Sequence, residues 1–143
     1  MGKINMGRVI IAGLVAGVVS DVLGYLVDGV LLAPQWTDGM LALGRDEFSP
    51  YQWIWFNLIG IVTGIVLIWI YAAIRPRLGP GPKTAICAGL AVWVLSSLLP
   101  NLSFMWFAGL FAHRLTAMTT VGGLFEILFG ALAGAALYQE SAS

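Results

Sequence analysis

Three of the seven acidic residues in this chain, Asp21, Asp28 and Glu126, stand inside stretches otherwise built from aliphatic residues and glycine. A charge at the centre of a bilayer costs at least about 2.5–3.5 kcal/mol on insertion scales, so such residues face a bundle interior or a wet cavity and mark proton or solute paths. Taking a carboxylate out of water favours its neutral form. Asp21 and Glu126 are therefore expected to be largely protonated unless a cation approaches, while Asp28, nearer a helix end, could reach water. Spacing to glycine adds a packing expectation. One series reads Gly13, Gly17, Asp21 and another Glu126, Gly130, Gly134, both in steps of four. Small residues at that spacing let helix backbones approach closely in lipid. On antiparallel helices the second series is the first reversed in depth, so the two glycine faces are expected to meet and to bring Asp21 and Glu126 together around a shared proton.

Tyr25 and Asp28 extend the Asp21 stripe at i+4 and i+7, from the midplane toward one surface. Asn57, Gly60 and Gly64 form a second small and polar stripe with Thr63 beside it, and Ser96 and Ser97 add hydroxyls from a third segment. A proton or solute path is one reading of this set. The plainer reading is interhelical hydrogen bonding, worth about 0.6–2 kcal/mol per bond. The plain reading is preferred for Asn57, Ser96 and Ser97, and the functional one for Asp21 and Glu126.

The elements that must hold these residues follow from composition. Of the 143 residues 59% are hydrophobic and 10% charged, against about 45–50% and 25% in soluble domains. The chain reads as an all-α integral membrane protein. Seven basic and seven acidic residues sum to zero, which leaves no basic field for nucleic acid. One cysteine (Cys87) and one histidine (His113) exclude an intrachain disulfide and a Cys/His zinc centre, and no other metal or cofactor site is predicted. A helix needs about 20 apolar residues to cross the hydrocarbon, and four spans are expected, at about 9–32, 54–74, 83–99 and 115–137. They form one domain, a four-helix bundle. Pro34, Pro50, Pro76, Pro82 and Pro100 fall at the proposed boundaries, where a missing N–H does least harm. Short outer interfacial helices are expected near 37–45, capped by Thr37 or Asp38, and near 102–112. For the second, a kinked continuation of the third span past Pro100 is the alternative.

Lys3, Arg8, Arg75, Arg77 and Lys83 fall on one side of these spans, and only Arg45 and Arg114 on the other. The positive-inside rule then puts both termini in the cytoplasm. Trp36, Trp53, Trp55 and Trp106 are expected as outer interface anchors, with Trp69, Tyr71 and Tyr138 near the inner one. The first span reads as a retained helix rather than a signal peptide, since Asp21 and Asp28 follow its apolar run. Arg114 is expected to answer Asp28, Asp46, Glu47 or a headgroup. His113 alone makes a weak case for haem or pigment ligation and reads as an interface anchor. The run Trp53-Ile54-Trp55-Phe56 reads as an aromatic belt. Gly79-Pro80-Gly81-Pro82-Lys83-Thr84 is no phosphate loop, because proline stands where glycine must precede the lysine.

The connector Tyr71-Ala72-Ala73-Ile74-Arg75-Pro76-Arg77-Leu78-Gly79-Pro80-Gly81-Pro82-Lys83-Thr84 resembles one in uncharacterised small bacterial inner-membrane proteins of about this length. The resemblance runs from the glycine-rich first span to the end of the fourth. It implies a multi-pass four-helix protein of the bacterial inner membrane and carries no activity. Physically the connector is a stiff basic turn whose Arg75, Arg77 and Lys83 would bind anionic headgroups. Without a catalytic constellation the first expectation is a non-enzymatic subunit or scaffold. Gly13, Gly17, Gly60, Gly64, Gly130 and Gly134 would pack it into a homo-oligomer or a larger membrane complex. The second is a small oligomeric proton-linked transporter or channel using the midplane carboxylates, and the third a cofactor-binding membrane protein.

Overall fold

A computed structural model describes residues 4–140, so Lys3 of the topology argument lies outside the described residues. The described chain is helical, without strands. Four helices are long and apolar enough to cross a membrane: α1 (Met6–Leu31), α3 (Pro50–Leu78), α4 (Pro82–Phe107) and α5 (His113–Leu137). A short helix, α2 (Ala33–Ala42), lies in the connector between α1 and α3. Local chemistry fixes the starts. Asn5 caps α1 by accepting the Arg8 N–H at 3.2 Å. Ser49 and Gln52 form a reciprocal capping box on α3, satisfying N–H groups that have no partner within the helix. Pro50 and Pro82 occupy first helical turns, where the fixed φ of proline is already helical. Gly79 and Gly81, at φ 81° and 124°, turn the chain between α3 and α4 through backbone space that a side chain disfavours.

The long helices neighbour one another in the ring α1–α3–α4–α5. Their packed faces are small: Val9, Ala12, Ala16, Ala72, Ala85, Ala88 and Ala131 are buried with Leu67 and Ile68. Large aliphatic side chains point outward, as Ile10, Leu14, Val18 and Val22 do along one face of α1. That inversion of the soluble pattern suits helices whose surroundings are as apolar as their own side chains. At the end where α1 starts and α5 finishes, Tyr71 and Tyr138 meet edge-on at 5.9 Å. The Tyr138 hydroxyl accepts the Asn5 N–H at 3.3 Å, and the Tyr71 hydroxyl accepts the Gly81 N–H at 3.2 Å. Both tyrosines are buried, so they act as packing groups there and not as exposed interface anchors.

Several boundaries differ from the sequence expectation. The connector helix begins at Ala33, with Pro34 in its first turn and no side-chain cap, so Thr37 and Asp38 lie inside it. Pro76 stands within the last turn of α3, where giving up one N–H bond to the preceding turn leaves only two further residues of helix to hold. The larger correction concerns Pro100. Instead of ending the third span at 99, it lies inside α4, and residues 102–107 continue that helix rather than forming a separate one. Wide turns make this tolerable: 94–98 and 101–107 are π-helical, and Leu99 N–H reaches back five residues to Val94 O. Such widening relieves the clash between a proline ring and the preceding turn. Asn101 then donates to the Thr120 hydroxyl at 2.9 Å, tying the far half of α4 to α5.

Candidate functional site

The packing of α1 decides where the carboxyls go. Two small-residue stripes run along it, one residue apart and so separated by about 100°. Gly13, Gly17 and Asp21 face α3. A methyl group added at Gly13 would press on the Ile65 backbone, and one at Gly17 on the Ile61 backbone. At Gly64 it would meet the backbones of Gly13 and Gly17, and at Gly60 the Asp21 carboxylate. Ala12, Ala16, Ser20 and Gly24 form the second stripe, and α5 lies on it. Gly134 abuts Ala12 and Ala16, Gly130 abuts Ala16 and Ser20, and Glu126 reaches Gly24. Ser20 Oγ donates to the Glu126 carbonyl at 3.0 Å.

Helices α1 and α5 therefore pack through small residues, as the antiparallel argument required, but the two glycine series do not meet. The Gly130–Gly134 face takes the alanine stripe of α1, and the Gly13–Gly17 face is used by α3. Asp21 and Glu126 consequently approach from adjacent faces. No hydrogen bond joins them among the described residues.

Both line one cavity of about 610 Å³, together with Tyr25, Asp28, Asn57 and Gly60. Ser96 and Ser97 reach it from α4, and Thr63 and Gly64 from α3. The cavity extends from Glu47, Phe48 and Met40 at the α1–α3 connector down to Leu67 and Ile127 beside the packed core. Its volume falls in the range of about 300–1,000 Å³ usual for small-molecule sites. Among the described residues no lysine, arginine or histidine lines it. Asp28 lies on a π-helical stretch, Tyr25–Leu31, and Ser96 and Ser97 on another. Such wide turns re-aim side chains and recur at functional sites.

The carboxyls differ in their commitments. Asp28 Oδ1 accepts two hydrogen bonds, from Trp36 Nε1 at 3.0 Å and Thr119 Oγ1 at 2.7 Å. Glu126 Oε1 is buried and has no hydrogen-bond partner among the described residues. Asp21 takes no hydrogen bond from the described residues. Asn57 spends its amide N–H on the Trp53 carbonyl of its own helix at 2.7 Å, and Thr63 does the same with Ile59 at 2.8 Å. Aromatic rings crowd the connector end. Trp53 stands edge-on to Tyr25, Phe48 and Phe56, and Trp36 to Phe48 and Phe111. Trp36 and Trp53, expected as interface anchors, thus turn to the cavity, while Trp55 and Trp106 remain exposed.

Other expected roles fall away from this site. His113 stacks on Trp106 with ring centroids 4.1 Å apart. Arg114 pairs with none of Asp28, Asp46 or Glu47; the one ion pair among the described residues is Arg75–Glu140 at 3.3 Å. Arg75 also lies 5.6 Å from the Tyr138 ring centroid, so it is held within the bundle end, whereas Arg77 and Lys83 are exposed. Ser20, Trp36 and Thr119 were missed from sequence. Ser20 was legible, because it continues Ala12 and Ala16 in steps of four. Thr119 stands seven residues before Glu126, on the same helix face. Trp36 carried no signal, since it reaches Asp28 only across the bend at Leu32.

Comparison with protein-family models, with curated proteins and with solved structures gives no match. Fold and site define a class: a bundle of four helices of membrane-spanning length around an acidic, aromatic-rimmed cavity.

Proposed function

We propose that this chain is a small proton-linked carrier or channel for cations, working through the cavity that Asp21, Asp28 and Glu126 line. The carrying observation is a half-buried carboxyl, Glu126, whose Oε1 is shut off from solvent and takes no hydrogen bond from the described residues, on a cavity of about 610 Å³ that no basic side chain among the described residues lines. A cation entering this site meets carboxyls, aromatic rings and neutral polar groups such as Asn57, Ser96 and Ser97, and its charge is balanced by a carboxylate that gives up its proton. Arrival of a monovalent cation with departure of one proton leaves the site's net charge unchanged, which avoids burying an extra charge. The packing supports this reading over a scaffold held together by glycine faces. Gly13, Gly17, Gly64, Gly130 and Gly134 are buried between helices of one chain and are not left over for a partner copy.

Arg8, Arg75, Arg77 and Lys83 support a cytoplasmic position for both termini by the positive-inside rule, with the cavity mouth then facing outward. The connector resemblance supports the bacterial inner membrane as the setting. The test is proton movement in proteoliposomes carrying an internal pH-sensitive dye. An imposed cation gradient is expected to drive proton exchange in the wild-type protein and to fail in Glu126→Gln and Asp21→Asn. Equal exchange in wild type and both variants would sink the proposal.

A further inference from the structure

We infer that the ligand of this cavity is an organic ammonium ion with an aromatic or branched apolar body, rather than a bare metal ion; the inference rests on the cation-uptake reading above. Size is the first argument. A water takes up about 30 Å³ of liquid, so a cavity of about 610 Å³ has room for roughly 20 waters. A single inorganic ion would be lost in it. Ligand geometry is the second. Among the described residues no group of three histidine, cysteine or acidic side chains converges closely enough to hold a metal ion. Asp28 is already engaged by Trp36 and Thr119. Asp21 and Glu126 remain as two acceptors on different helices, suited to one diffuse positive charge and not to a compact coordination shell.

The lining is the third argument, because its two ends differ in chemistry. The uncommitted carboxyls, both half-buried, stand beside Gly60 and Gly24 between the helices. Toward the mouth, Trp53 stands 6.5 Å from Tyr25, 5.8 Å from Phe48 and 6.1 Å from Phe56, each at a steep interplanar angle. All four rings line the cavity. Aromatic faces attract a desolvated cation through the ring quadrupole, tryptophan most strongly, and bind an apolar body by burial. A ligand with a cationic head and an apolar body satisfies both ends at once.

Calorimetry on the full-length chain in detergent micelles tests this with three probes, each corrected against empty micelles. These are benzyltrimethylammonium chloride, its neutral carbon isostere neopentylbenzene, and rubidium chloride. The expected result is one benzyltrimethylammonium bound per chain, the isostere at least about tenfold weaker, and no heat from rubidium. Trp53→Leu is expected to weaken the ammonium about tenfold, with Trp53→Phe, which keeps a ring in place, lying between. Equal binding of the isostere and the ammonium would overturn the inference. So would rubidium binding that depends on Glu126 without ammonium binding, although cation uptake would then stand. If no probe binds and proton exchange is also indifferent to Glu126 and Asp21, both proposals fall.

Discussion

Replacing Gly64 with alanine sets one methyl group where α1 and α3 leave no room. The added carbon would stand 2.5 Å from the Gly13 carbonyl oxygen and 2.6 Å from Gly17 Cα, against the 3.4–4 Å of ordinary contact. Both neighbours are backbone, so no rotamer change relieves the overlap, and the helices must part by about 1 Å or rotate. Overpacking of this kind costs about 1–3 kcal/mol, and a rigid backbone wall puts it at the upper end. Alanine recovers up to about 1 kcal/mol of helix propensity relative to glycine, leaving a net loss of about 2 kcal/mol. Gly7→Ala supplies the control. Its nearest atom is Asn5 Oδ1 at 3.6 Å, so no overlap opposes the methyl group, and in the first turn of α1 only part of the interior propensity gain applies. Reversible unfolding in mixed micelles, followed by tryptophan fluorescence, should separate the two variants by about 2 kcal/mol. If Gly64→Ala lies within about 0.5 kcal/mol of Gly7→Ala, the close α1–α3 contact is wrong.

Asp28→Ala should release Trp36 and shift tryptophan emission to the red, whereas Asp28→Asn, whose amide oxygen still accepts from Trp36 Nε1, should leave the emission near wild type. In a Cys87→Ser background, Asn101→Cys with Thr120→Cys should join through a short thiol cross-linker, because those side chains hydrogen-bond at 2.9 Å. No product there would contradict a helix that runs on through Pro100.

Sequence carried the architecture because the bilayer makes a strong demand on composition: four apolar runs had to become four helices, and they did. It was weaker on boundaries. Pro100 looked like a terminator, since proline ends most helices, and only π-helical turns on both sides together with the Asn101–Thr120 bond let α4 continue. The acidic stripe was legible residue by residue, and Asp21, Tyr25, Asp28, Asn57 and Glu126 all line one cavity. Which helix each glycine face would meet was not. Period alone gives a face but not its partner, and the Ala12–Ala16–Ser20–Gly24 stripe beside Gly13 and Gly17 offered an equally small surface to α5. The aromatic rim was hidden for a related reason. Tryptophans near helix ends fit an interface belt, and the inward turn of Trp36 depends on a bend at Leu32 that joins it to Asp28.

A cavity reached by water and selective for cations will show both properties in charge-selective thiol labelling at Ser97→Cys, which lines it. In a Cys87→Ser background the cysteine thiolate attacks a methanethiosulfonate, forms a mixed disulfide and expels methanesulfinate. The rates to compare are those of the trimethylammonium-ethyl and sulfonato-ethyl reagents, each normalised to a free thiol in solution. The acidic wall predicts that the cationic reagent reacts at least about tenfold faster, and that Asp28→Asn with Glu126→Gln removes most of that preference. Equal normalised rates, or no reaction with either reagent, would contradict the account.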